Sequence, residues 1–200
     1  MKKTLLILLL LYATISTTFA QEQGKRQEVG INFSSLNSFG FSYKIGTSKN
    51  LWRFSTLALN LNNAKTETDD PVLQGTEFNN IGVMISAGKE FRKDVTKHLE
   101  FRYGFDLAFS YNSNKGTNNN TVNFFEQEST TYSPSVAGVI GFNYVFNEHL
   151  AFGVELLPRF RYTTGNSKQT EGTTVTNSDI SGYDFGFGNN PAQLSLSYRF

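Results

Sequence analysis

Cysteine is absent from the 200 residues. This excludes a disulfide framework, a thiol nucleophile, a thiolate metal centre and lipid attachment through an N-terminal cysteine. Histidine is almost absent: His98 and His149 are the only two, too few and too far apart for a metal site. The longest apolar run, 5–11, is well short of the ~20 residues that a membrane-spanning helix needs. Eighteen Lys and Arg stand against seventeen Asp and Glu, so no excess of charge marks a nucleic-acid partner.

What is plentiful is aromatic. The chain has 19 Phe and 9 Tyr, although only 38% of its residues are hydrophobic. That is too aromatic for a disordered chain and too polar for a helical membrane protein. It suits a β-protein whose apolar residues are spread singly along strands. At the amino terminus, Lys2 and Lys3 precede the apolar run, and Thr18-Phe19-Ala20 places small residues where a signal peptidase cuts. Residues 1–20 are therefore expected to be a secretory signal peptide and 21–200 a single domain. Taking Lys2 and Lys3 from the 18 basic residues leaves 16 against 17 acidic ones, a net charge of −1.

From residue 28 onward, apolar and polar residues alternate in segment after segment, the period of a strand with unlike faces. Eight segments are expected as strands. The first is 29–34, with Val29, Ile31 and Phe33 on one face; the second is 39–46, with Phe39, Phe41, Tyr43 and Ile45. The third begins with Trp52 and Phe54, then changes phase to Leu57, Leu59 and Leu61, so a β-bulge is expected near Ser55 and Thr56. The fourth carries Ile81 to Phe91, and the fifth, 99–112, alternates throughout. The sixth and seventh end near Phe146 and Tyr162, and the eighth is 192–200, with 183–188 as an outer start to it.

The connections after the second, fourth and sixth strands are short. The polar stretches 62–79, 113–133 and 163–182 are long and are expected as loops. Short and long connections in alternation put all long loops at one end of an antiparallel sheet, the arrangement of outer-membrane barrels. The face opposite the aromatics carries Glu28, Lys44, Arg53, Glu90, Arg92, Glu100, Arg102, Asp106, Glu155, Arg159, Arg161 and Arg199. A sheet can lie in hydrocarbon only if it closes and satisfies its backbone internally. The expected fold is all-β: an eight-stranded antiparallel up-and-down transmembrane β-barrel, narrow enough for side chains to fill.

The signal peptide, the alternating strands and the ending Leu194-Ser195-Leu196-Ser197-Tyr198-Arg199-Phe200 resemble small outer-membrane β-barrel proteins of Gram-negative bacteria. The style is that of the Bacteroidetes "outer membrane protein beta-barrel domain" group (OmpA-, OmpX- and OmpW-like barrels). The resemblance implies residence in the outer membrane, lipid as the surrounding partner, and insertion by the barrel-assembly machinery. Tyr198 and Phe200 match the aromatic positions of the assembly signal. No periplasmic domain follows the last strand, so a peptidoglycan-anchoring role is not expected.

Catalysis finds little support. Both histidines fall at short turns on the periplasmic side, where solvated surface groups are expected, and no nucleophile, base and acid converge. No catalytic residue, metal ligand or cofactor is therefore expected. Arg102, Asp106, Glu155, Arg159 and Arg161 form a candidate polar network in the lumen, either a salt-bridge plug or a selectivity constriction. The leading expectation is a non-enzymatic barrel that presents extracellular loops in a structural or surface-interaction role, with the loops 62–79, 113–133 and 163–182 open to an extracellular partner. The alternatives are a narrow channel for small solutes and a lipid-modifying enzyme.

Overall fold

A computed structural model describes residues 25–35, 38–66, 75–118, 124–187 and 192–200. The expected signal peptide lies outside them. Antiparallel strands make up almost all of these residues, in the order β1 (Arg26–Ser35), β2 (Ser38–Gly46), β3 (Asn50–Thr66), β4 (Thr76–Thr96) and β5 (Leu99–Asn118). β6 (Phe125–Val145), β7 (Leu150–Leu156), β8 (Arg159–Glu171), β9 (Thr174–Gly186) and β10 (Ala192–Arg199) follow. From β1 to β7 each pairs with its sequence neighbour, and β10 closes on β1, with Val29 opposite Tyr198 and Phe33 opposite Leu194. At the seam Gln27 and Phe200 exchange two backbone hydrogen bonds of 3.0 Å.

Ten segments make eight staves. β7 and β8 are one stave, interrupted at Leu157 and Pro158, because proline has no N–H to give the ladder. The register against β6 runs through the break unchanged, and Gly138 N–H donates to the Pro158 carbonyl at 2.8 Å. β9 and β10 form the eighth stave. Leu156 faces Ala192 while Arg159 faces Gly186, so three extra residues are accommodated there. Among the described residues the closed ring is thus β1-β2-β3-β4-β5-β6-β7-β10.

The wall is turned inside out relative to a water-soluble protein. Leu107 is 58% exposed, and Phe41, Phe105, Ile140 and Leu196 also point outward, while Glu90 is 0% exposed and Arg102 1%. Charged residues are almost never fully buried unless paired, and large apolar ones normally are. The inversion means hydrocarbon outside and paired charge within. Aromatic girdles mark the edges of the apolar band. The lower one includes Phe101, Tyr103, Tyr144 and Phe146, and the upper one Phe109, Tyr111 and Tyr132. The rise from Tyr103 to Tyr111, at ~3.4 Å per residue and ~40° tilt, is ~20 Å, close to the ~25 Å expected of such a band.

Two expectations need correction. In the stretches 62–79, 113–133 and 163–182 the described residues are almost all strand rather than loop, residues 67–74 lying outside them. β3 runs on to Thr66, β5 to Asn118, and β8 and β9 meet at a two-residue turn, Gly172 and Thr173, with Gly172 at φ 57°. That left-handed conformation suits glycine and fits a tight hairpin. The change of phase in β3 falls between Leu57 and Asn60, not at Ser55 and Thr56, whose register with Ser86 and Ile85 is regular. The tract 119–123 lies outside the described residues.

The first hairpin ends early, at Ser35 opposite Ser38, whereas β4, β5, β6 and β8 continue upward. Above the ring, β3 therefore keeps only β4 as its described neighbour, and β9 keeps only β8. The upper parts of β3, β4, β5, β6, β8 and β9 form an open, six-stranded sheet that projects from the ring. Its outer face carries Lys115, which reaches Glu126 at 2.6 Å and Glu128 at 2.7 Å. The Lys115 hydrogen bond holds the Glu128 carboxyl below the ordinary carboxylate range. A lowered carboxylate pKa stabilises above the unfolded value and loses that contribution as pH falls through the folded one. Both groups are exposed, so thermal stability should hardly change in Lys115→Met, while the Glu128 carboxyl titration followed by NMR should move to higher pH.

Candidate functional site in the lumen

Alternation points one residue in two into the barrel, and at the lower half those residues are ionic. Arg92 on β4 makes a two-pronged contact with Glu28 on β1, at 2.6 and 2.7 Å. Arg199 on β10 holds Glu100 on β5 in the same way, at 2.6 and 3.1 Å, and its Nε lies 3.0 Å from Glu28. Arg26 completes this lower layer, 2.9 Å from Glu28, and Asn143 donates to Glu100 at 3.2 Å.

Glu90 joins this layer to the next. One of its oxygens accepts from Arg92 at 2.7 Å, and the other from Lys44 at 2.7 Å and Arg53 at 3.2 Å. Arg53 then crosses the lumen. Its two terminal nitrogens meet the two oxygens of Glu155 at 2.9 and 3.1 Å, and its Nε is 3.2 Å from Asp106. β3 and β7 stand opposite each other in the ring of eight. The Arg53–Glu155 fork therefore spans the barrel's diameter. Planar guanidinium groups match carboxylates two bonds at a time, which fixes direction as well as adding strength.

The five residues proposed from the sequence are not one cluster. Arg102, Asp106 and Glu155 belong to the network, with Arg102 3.2 Å from Glu155. Arg161 lies outside it and pairs with Asp184 on β9 at 2.8 Å, near the rim. Arg159 has no carboxylate within ion-pair distance among the described residues; its Nη1 contacts the Met84 sulfur at 3.0 Å. The centre of the network, Glu90 and Arg53, was legible only as inward strand positions. Arg26 was missed because it precedes the first apolar alternation. The histidines tie turns to neighbouring strands: His98 Nδ1 lies 3.1 Å from the Val145 carbonyl and His149 Nδ1 3.0 Å from that of Arg199. No metal-ligating group of three or more His, Cys, Asp or Glu occurs among the described residues.

Glycine makes room for the arginines. A Cβ at Gly153 would lie 2.8 Å from Arg102 Nη2, 2.6 Å from Asn143 Oδ1 and 2.5 Å from Ser195 Oγ. Gly153→Val should cost ~1–3 kcal/mol by overpacking, seen as a lower unfolding midpoint in detergent.

Closed ring, lipid-facing band and ionic lumen together define a small outer-membrane barrel, and the sequence relationships agree. Residues 69–200 match the model of the putative OmpA-OmpF-like porin family. The chain belongs to that family. Its fold is also that of a major outer membrane protein from Thermus thermophilus, at a TM-score of 0.52 and 13% identity, covering 89% of this chain and 100% of that one. A further similar structure is Ail, the attachment invasion locus protein of Yersinia pestis, with a TM-score of 0.41, 11% identity, and 90% and 100% coverage. No curated protein matches the chain. This OmpA-OmpF-like barrel resides in the outer membrane, where short turns face the periplasm and long hairpins face outward.

Proposed function

We propose that the protein is a non-enzymatic outer-membrane barrel that displays a rigid β-surface outside the cell, for contact with a partner or the envelope. The open sheet above the ring carries this reading. It is built from six strands rather than loose loops, and the upper edge of β9, about 174–181, has no described neighbour. A firm surface loses little conformational entropy on binding. The purified barrel, probed on arrays of immobilised peptides and glycans, should bind through this sheet, and a variant lacking 166–179 should lose the signal. Equal signals from both proteins would sink the idea.

The channel alternative is disfavoured by the Arg53–Glu155 fork, which crosses the lumen at its middle. Planar-bilayer recordings should show no reproducible salt-dependent step. Exposure of Tyr198 and Phe200 on the outer wall at the seam supports reading them as the signal for the assembly machinery. Tyr198→Ser with Phe200→Ser should reduce the folded, heat-modifiable barrel in the outer-membrane fraction.

A further inference from the structure

The ionic network holds six cations, Arg26, Lys44, Arg53, Arg92, Arg102 and Arg199, against five carboxylates, Glu28, Glu90, Glu100, Asp106 and Glu155. Above it, Arg159 and Arg161 meet a single further acid, Asp184. Of the nearby carboxylates, Asp184 is held by Arg161 at 2.8 Å, and Asp106 lies 3.2 Å from Arg53 Nε with its Oδ1 making no hydrogen bond. The Arg159 guanidinium is left with a thioether at 3.0 Å, and its Nε is buried without a partner. A thioether is a weak acceptor. Ser135, directly opposite Arg161 on β6, is 7% exposed and its hydroxyl also lacks a partner. At this level Arg159 and Ser135 thus hold unused donors below a rim whose carboxylate, Asp184, is taken by Arg161. Water reaches it from outside, because the Arg161 and Asp184 side chains are 40% and 47% exposed, while Arg102 below is 1% exposed.

We propose that the outer half of the lumen is a blind binding site for a small soluble oxyanion, held by Arg159 and Arg161 with Ser135 donating. An oxyanion accepts from a guanidinium through two parallel N–H bonds, the geometry that the Met84 sulfur cannot offer. Entry is from the extracellular side, and the Arg53–Glu155 fork forms the floor, so the anion binds without passing through. The guanidinium groups face the lumen rather than the lipid, which selects a dissolved anion of the phosphate, sulfate or carboxylate class over a lipid headgroup.

The experiment is calorimetric titration of the full folded barrel in a non-ionic detergent with inorganic phosphate at constant ionic strength, paired with thermal unfolding in phosphate and in chloride. Wild type should show saturable heat and a raised midpoint in phosphate. Arg159→Gln should weaken binding by ~10-fold or more, the loss of one charge-assisted pair, and remove the phosphate-specific rise. In chloride its midpoint should equal or exceed that of wild type, since an unpaired half-buried cation is gone; a merely structural Arg159 would lower it instead. Absence of saturable binding by wild type overturns the proposal. So does an undiminished phosphate response in Arg159→Gln, which would mean an adventitious ion only.

Discussion

Glu90→Ala should destabilise the barrel by ~3–5 kcal/mol, the cost of removing one partner from a buried charge network. Glu90 is fully buried, and its carboxylate lies within 4 Å of four cations: Lys44 at 2.7 Å, Arg53 at 3.2 Å, Arg92 at 2.6 Å and Arg102 at 3.9 Å. Without it these cations crowd a narrow lumen, and Lys44 loses the only carboxylate within ion-pair reach among the described residues. Denaturant unfolding of the refolded protein in detergent measures the loss. Lys44→Met with Glu90→Met should recover a large part of it, because an apolar pair of similar volume replaces a charge left alone. A Glu90→Ala barrel within ~0.5 kcal/mol of wild type would show that water, not protein, satisfies these cations.

Leu107→Arg is the second large effect, at ~2–4 kcal/mol for a charge facing lipid near the middle of the membrane. Leu107 lies between Ala87 and Val136 on neighbouring strands, and between Phe105 and Phe109 along β5, all on the outer wall. An arginine there has the whole half-thickness of hydrocarbon to cross before it meets a headgroup. The same substitution at Lys115, beyond the upper girdle on the same strand, keeps the charge in water and should be near neutral. Unfolding in lipid vesicles compares the two variants. Equal stabilities would mean that the outward face of β5 is not in hydrocarbon at Leu107.

The aromatic alternation of β5 made that wall legible, because each of Leu99 to Tyr111 repeats one choice, lipid or lumen. Where both faces meet water, alternation has nothing to report. Thr163 to Gly182 therefore read as loop, although threonine favours strands and Gly172 suits a tight turn. The short first hairpin was visible as a short connection. Its consequence, an open sheet above a closed ring, appears only once β3 and β9 are seen without their second neighbours.

The sequence by itself determined the solvent on each face and the membership of the lumen. The inward phase of every strand places Glu28, Arg53, Glu90 and Glu155 inside, and that phase is a local property of the chain. Only the tertiary structure decided who meets whom. Arg53 and Glu155 are 102 residues apart and join because ring closure sets β3 opposite β7. The same closure and strand stagger leave Arg159 one level above the acids, beside a methionine. Periodicity fixes a side chain's direction; its partner is set by the stagger of eight strands, which no single segment encodes.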